Sequence, residues 1–327
     1  MRRLWKNILI LLATVVILFC VSFVFVLAEK GKLDDRVELD IPPGSAWNFV
    51  ASQLNEKRVI QSKKSFLFAV HLLGAQNNLR SGTFEIDGTW RYYSIIKYLQ
   101  NGEEKLIDVT IPEGWNLEQI ADKIEATFGI ESAEFLEKTS AELFDINTEG
   151  QKTVIGFLFP DTYAFSKNVS PEKIVRTMIK RFDEQITPKI REGIAKQGFS
   201  FYEGITLASI VQGEVIFDEE CRAISSVYQN RIKKGMKLQA DPTIQYILPG
   251  PPRRLYNKHL EIESPYNTYK YSGLPPGPIN NPGLEAIRAV AFPDTTEYLY
   301  FVAKGDGYHQ FNKTFRAHNR AKRKFRK

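Results

Sequence analysis

The sequence predicts an α+β protein with three parts: one N-terminal apolar helix, a small module of strands and helices, and a larger mixed α+β domain towards the C-terminus. Three observations carry this expectation. Residues 8–28 contain no charge and are rich in Leu, Val, Ile and Phe. Beyond them, short strand-like apolar runs alternate with runs of helical period, the pattern of mixed folds. The length of 327 residues suits two or three folded units at roughly 100–200 residues per domain.

The apolar run from Ile8 to Ala28 would form a helix roughly 31 Å long, close to the hydrocarbon thickness of a bilayer. Arg2, Arg3 and Lys6 precede it with no acid among them. That asymmetry keeps a short tail, 1–7, in the cytoplasm and exports the rest. The expected order is a transmembrane anchor at 8–28, a polar linker at 29–37 and an extracytoplasmic body at the cell (inner) membrane. A cleaved signal peptide ending at Val26-Leu27-Ala28 is the rival, but the run exceeds the apolar core of such peptides. Cys20 is read as unlipidated because bulky Phe19 precedes it and the apolar run continues past it. One other cysteine, Cys221, remains, so no internal disulfide holds the exported part.

The net charge of +6 resides in the ends. The first seven residues and the last twelve (316–327) hold ten basic residues and no acid, leaving 34 basic against 38 acidic residues in the body. A mildly acidic body argues against nucleic acid as partner.

Residues 38–125 read as a module. A strand at Val37–Ile41, a Pro-Pro-Gly turn and an amphipathic helix through Leu54 have a counterpart near 106–125: strand Leu106–Ile111, a Pro-Glu-Gly turn and a helix through Ile124. Between them lie a helix at Lys64–Leu73, a strand at Gly82–Ile86 and a helix at Tyr92–Gln100. Strand-turn-helix units of this kind look like small carbohydrate-binding LysM-type modules; a generic α+β spacer is the alternative. Residues 126–327 form the second domain. Its stretch from 127 to 200 reads as mainly helical, interrupted at Gly156–Tyr163 by an aromatic Pro-Asp turn of the kind that clamps a loop on a core. Two helices follow between Tyr202 and Gly235, the second with Asp218 as N-cap. A loop-rich stretch runs to Ile279. Helix Gly283–Ala291, strand Tyr298–Ala303, a Gly-Asp-Gly turn, strand His309–Asn312 and a basic C-terminal helix complete the chain.

The four histidines show no metal-ligand spacing and the cysteines are unpaired in sequence, which argues against zinc. GxGxxG, P-loop and GxSxG patterns are missing. A carboxylate remains. Around the helix containing Leu207 to Val215, at 100° per residue, Glu214 falls about 20° from Leu207 and inside the apolar arc. A buried glutamate resists ionisation and so suits proton donation to a glycosidic oxygen. A structural Glu214–Arg231 pair is the other reading. Gly213 is expected to leave room for a substrate. Gln239, Asp241, Thr243, Gln245, Tyr246, Asn267, Thr268 and Tyr269 supply the neutral polar and aromatic groups a glycan site needs, and Gly273–Gly277 a rigid wall. The same residues also build turns.

Several segments then resemble one family in the same order: LASIVQGEV at 207–215, MKLQADPTIQY at 236–246, SPYNTYKYSGLPPGPINNPG at 264–283, YLYFVAKGDGYHQFN at 298–312 and FLFPDTY at 157–163. Together with the N-terminal apolar helix they are similar to the endolytic murein transglycosylases (MltG, YceG-like). The resemblance implies a membrane-anchored peptidoglycan lytic transglycosylase with a LysM-like module and a C-terminal catalytic domain. It implies Glu214 as the catalytic residue, cleaving between MurNAc and GlcNAc in nascent strands without water to leave 1,6-anhydroMurNAc ends and terminate elongation. Gln239, Asp241, Thr243, Tyr246, Asn267, Thr268, Tyr269 and Asn312 become candidates for holding the glycan. No cofactor or metal is implied. Peptidoglycan strands are the expected partner, with wall synthases (penicillin-binding proteins) as further ones. The family segment usually reads SIVEKET, with two acids; here Gln212 replaces the first. Related spore-cortex lytic enzymes carry Asn-Gly-Glu there, which favours Glu214. Ile155 also departs from a common Glu. Two other readings stand beside this one: a hydrolytic muramidase with Asp241 or Glu219 as second carboxylate, and a non-catalytic wall-binding scaffold.

Overall fold

A computed structural model describes residues 2–29 and 35–325 and separates into two units, residues 1–108 with 164–169, and residues 109–163 with 170–327. It is a mixed α+β structure in which, among the described residues, every sheet has two strands.

The first unit begins with helix α1 (Arg2–Ala28). Then come strand β1 (Arg36–Ile41), helices α2 (Trp47–Glu56) and α3 (Lys63–Leu72), strand β2 (Gly82–Asp87) and helix α4 (Tyr92–Asn101). β1 and β2 pair antiparallel, with Val37 opposite Ile86 and Leu39 opposite Phe84. Val37, Leu39 and Ile41 turn inward and their polar neighbours outward, as a one-faced sheet requires. Gly44 supplies the left-handed turn after the two prolines. Phe66, Phe84, Tyr92, Ile95 and Leu99 fill the core, and the Trp47 indole donates to the Ala75 carbonyl at 2.7 Å. Among the described residues no helix is long and apolar enough to cross a membrane. The side chains at positions 2–4, 16, 18–20, 22, 23 and 25, on which the expected span, its flanking arginines and Cys20 partly rest, lie outside the described residues, as do linker residues 30–34 and residues 326 and 327 of the basic tail.

Strand β3 (Leu106–Thr110) pairs with β4 (Thr162–Ser166), and the division between the units falls within both. The expectation of a mainly helical 127–200 therefore needs correction. Tyr163 and Phe165 face inward while Thr162 and Ala164 face out, a two-residue period that the aromatic cluster obscured.

The second unit contains α5 (Leu117–Phe128), α6 (Ser132–Glu137), α7 (Pro171–Gln185), α8 (Pro188–Lys196), α9 (Phe201–Glu214), α10 (Cys221–Lys233), short α11 (Asp241–Ile247) and α12 (Asn257–Leu260), and α13 (Leu284–Ala291). The antiparallel hairpin β5 (Tyr300–Ala303) and β6 (His309–Asn312) and helix α14 (Phe315–Phe325) follow. A capping box between Ser200 and Glu203 starts α9. Helices α8, α10, α11 and α13 surround it. Residues 204–211 are all buried, so the amphipathic reading of α9 gives way to a helix enclosed on every side. Its polar members are satisfied locally: Thr206 donates to the Tyr202 carbonyl at 2.9 Å and Ser209 to that of Thr206 at 2.8 Å. The expected N-cap at Asp218 is also corrected. Asp218–Glu220 forms a 3-10 turn, and Glu220 occupies the cap position without a side-chain bond to the helix's own backbone.

Asn281 pins the loops around α9. Its carbonyl oxygen accepts from Gly156 N at 2.9 Å and Leu158 N at 3.1 Å, and its amide donates to the Trp115 carbonyl at 3.0 Å. The aromatic segment Phe157-Leu158-Phe159 is buried, a loop clamped on the core as its composition suggests. Ile155 is buried with it.

Candidate active site

Helix α9 emerges from the core only at its last turn, and Glu214 is its final residue. The side chain keeps partial exposure. Its carboxylate accepts a 2.6 Å hydrogen bond from the Tyr228 hydroxyl, presented by α10. Burial pushes the carboxyl up to about 7; Asp241 adds to the rise, while Tyr228 and Arg231 oppose it. The negative end of the helix dipole acts in the same direction as burial. A carboxylic acid that holds its proton to neutral pH can donate it to a substrate oxygen.

The Glu214–Arg231 ion pair is not formed. Arg231 donates to the carbonyls of Leu299, Lys237 and Leu238 at 2.7, 3.4 and 2.6 Å, fastening α10 to the segments on either side. Its charge still reaches Glu214, without the direct contact that would strip the proton.

The expected glycan-holding residues divide into two groups. Asp241 is exposed, accepts a 2.5 Å bond from the Tyr269 hydroxyl and acts electrostatically on Glu214. Burial and Asp241 together keep the Tyr269 phenol protonated. Gln239 is exposed, with a left-handed backbone at φ 50°. Such conformations persist where surrounding contacts enforce them, and here its N–H donates to Thr268 O at 3.1 Å. Tyr246 is exposed and packs on Tyr266 with ring centres 4.9 Å apart.

The second group faces the protein. Thr243 is fully buried, donates to Ala240 O at 2.7 Å and meets the Thr268 hydroxyl at 2.9 Å, which in turn accepts from Ala240 N at 3.0 Å. Asn267 donates to Leu260 O and Ile262 O and accepts from Tyr269 N. Asn312 is buried and donates to Gln310 O at 3.1 Å. These four hold loops with groups that would otherwise be free for sugar hydroxyls. Gln245 likewise binds Arg253 backbone. Gly213 has a different purpose from the expected one: a Cβ there would come 2.6 Å from Pro242 Cβ, so it admits α11 rather than substrate.

Three groups escaped the sequence reading. Tyr228, in the second helix between Tyr202 and Gly235, was not among the candidate site residues, although its hydroxyl makes it a donor. Glu113, in the Pro-Glu-Gly turn, hydrogen-bonds Gln212, and burial raises its carboxyl. The signal was available, because Glu113 is where the second strand-turn-helix unit departs from the Pro-Pro-Gly of the first. Gln212 also accepts from Gly283 N at 2.9 Å, so the amide that stands in for the usual acid joins two loops. Third, Glu220 meets His309 Nδ1 at 2.7 Å and accepts from His309 N at 2.9 Å. A concavity of about 630 Å³ lined by Glu263, Ser264, Pro265, Tyr271, Leu274 and Pro276 includes none of the Glu214 cluster. A perturbed acid with its donor locates chemistry better than volume does.

The position of Glu214 has a measurable consequence for stability. Its folded-state value of about 7 lies above the ordinary 4.5. Stability is therefore fully present below about pH 4.5 and is lost as pH rises through 7. Glu214→Gln is expected to stabilise the chain at pH 8, on the order of 2 kcal/mol after allowing for partial exposure, and to change it little at pH 4. Thermal unfolding of both forms at the two pH values checks this; an equal difference at both would contradict it.

Relatives place this geometry in a lineage. The YceG-like family pattern matches residues 39–324. An endolytic murein transglycosylase of Bacillus subtilis (strain 168) is 35% identical over 318 residues, covering 91% of this chain and 88% of that protein. An endolytic murein transglycosylase of Streptococcus pneumoniae serotype 2 is 26% identical over 303 residues, covering 82% of this chain; the match takes in 54% of that longer protein, about half its length. The 2.6 Å crystal structure of a YceG-like protein from Listeria monocytogenes matches with a TM-score of 0.61 at 33% identity, over 88% of this chain and 99% of the other. The chain belongs to the YceG-like family.

Proposed function

We propose that this chain is an endolytic murein transglycosylase, a lytic enzyme that cuts peptidoglycan glycan strands with Glu214 as catalytic acid and then base. The carrying observation is the single carboxyl at the end of α9, held up to about 7 by burial and bonded to Tyr228. Two relatives named endolytic murein transglycosylase support the reading.

The chemistry needs one such group. Protonated Glu214 gives its proton to the oxygen joining MurNAc C1 to GlcNAc as that bond breaks, and positive charge develops at C1. Ionised Glu214 then takes the proton from the C6 hydroxyl of the same MurNAc. The C6 oxygen bonds to C1, closing a 1,6-anhydro ring, and Glu214 is protonated again. No water enters, so neither a second carboxylate nor a placed water is required, in contrast to glycoside hydrolysis. Asp241, oriented by Tyr269, offers negative charge to the cationic transition state. Gln239 and Tyr246 remain as exposed groups for the flanking sugars. Cuts within nascent strands would end their elongation, with wall synthases as the proteins that supply them.

The same reading places the chain at the cell membrane with its body outside the cytoplasm. Support comes from α1, whose consecutive side chains Ile8, Leu9, Ile10, Leu11 and Leu12 are all exposed; five residues encircle a helix, and an apolar surface on every side suits lipid. The β-α-α-β order of the first unit, with its antiparallel strand pair, supports a LysM-like glycan-binding module.

Two experiments test this. Purified peptidoglycan digested with the full chain is expected to yield 1,6-anhydroMurNAc ends by mass spectrometry, and Glu214→Gln none. Products about 18 Da heavier, with reducing ends, would instead identify a muramidase using Asp241. Intact walls after prolonged digestion would support the non-catalytic scaffold. Alkaline extraction of cell membranes is expected to leave the chain in the membrane pellet; release into the supernatant would overturn the anchor.

A further inference from the structure

Beyond Glu214 the backbone leaves the helix at Val215 (φ −87°, ψ 148°) and bends at Ile216 and Phe217 (Phe217 φ −119°, ψ 127°) before the 3-10 turn. Ile216 is 71% exposed, more than any other large hydrophobic side chain among the described residues. Phe217 is 38% exposed, and its ring stacks on Tyr308 with centres 4.5 Å apart and planes 26° apart.

The arrangement is built rather than incidental. Gly307, at the tip of the β5–β6 hairpin, leaves the space the Phe217 ring needs, since a Cβ there would come 2.6 Å from it. The hairpin is fastened to the 3-10 turn by the buried Glu220–His309 pair. The Tyr308 hydroxyl donates to exposed Glu219 at 3.2 Å. The 3-10 turn and the hairpin thus hold an apolar shelf with a polar, negatively charged rim, reached by the chain directly after the acid. Lone exposed hydrophobics are ordinary; a stacked aromatic pair and an aliphatic neighbour two and three residues past the acid form a surface with a direction.

We propose that Ile216, Phe217 and Tyr308 form a subsite that binds the sugar next to the scissile bond, the aromatic pair taking the C–H face of a pyranose ring and Ile216 the methyl of an N-acetyl group. The inference rests on the glycan-cleaving reading of Glu214. A sugar is favoured over an anionic lipid surface because Glu219 puts negative charge at the rim. Tyr308 and Glu219 then offer hydrogen bonds to ring hydroxyls.

Steady-state cleavage of peptide-free GlcNAc–MurNAc oligosaccharides by the full chain tests it. Ile216→Ser is expected to raise KM about threefold and Phe217→Ala about tenfold, with kcat within about twofold of the parent. An unchanged KM in both, while the parent cleaves, would overturn the subsite and leave Glu214 standing. If Phe217→Ala does not fold, as judged by circular dichroism, Ile216→Ser alone decides, because its side chain lies largely outside the packing. A parent chain that does not cleave at all would overturn both readings.

Discussion

The proton on Glu214 is the constraint around which the second unit is organised. A carboxyl at the surface ionises near 4.5, and one shut in without partners would distort the fold or stay protonated far above neutrality. Here burial and Asp241 push one way, and the Tyr228 hydroxyl and Arg231 push the other. The balance falls near 7, where a single group is both a competent acid and, once ionised, a competent base. Tyr228 contributes orientation as well as energy, because its 2.6 Å bond selects one rotamer of a side chain at a helix end.

That balance depends on where Arg231 directs its donors. Bonded to three backbone carbonyls, the guanidinium stabilises the α10–β5 neighbourhood and leaves Glu214 unpaired. A direct ion pair would have lowered the carboxyl and removed its proton at neutral pH. The same economy governs α9. Thr206 and Ser209 satisfy themselves on their own helix, and Ser209 additionally accepts from Ile279 N at 3.0 Å while its carbonyl accepts from the Asn280 amide at 2.8 Å. The 279–283 loop is thereby fixed beside the helix end, with Gln212 and Glu113 closing the far side. Rigid surroundings are what an acid needs if its position is to survive substrate binding.

Much of this was legible from residue order, and the exceptions have physical causes. Periodicity marked β1, α2, α4 and α13 to within a residue or two, since each has one face buried and one wet, and the Gly-Asp-Gly turn marked the β5–β6 hairpin. It failed at β4, where Tyr163 and Phe165 sit inside an aromatic run without clear polar alternation, and at Asp218, where three consecutive acids obscured which residue begins the helix. Glu214 stood out because a charge lay amid apolar neighbours. Tyr228 did not, because tyrosine belongs to a core face as readily as to a site. Thr243, Asn267, Thr268 and Asn312 misled for the reason their composition suggested: groups that can bind hydroxyls also bind carbonyls, and only the fold decides which. The pairing of Glu220 with His309, 89 residues apart, carries no local signature.

The ionisation of Glu214 itself is the most direct measure of the account. Infrared carboxyl difference spectra between the parent chain and Glu214→Gln, followed from pH 3 to pH 9, report its proton. The account predicts a protonated carboxyl that persists to about pH 7, with a midpoint that moves higher when Tyr228→Phe removes the hydrogen bond. Ionisation near 4.5 in both backgrounds would contradict it, because the group then could not give a proton to the glycan at neutral pH.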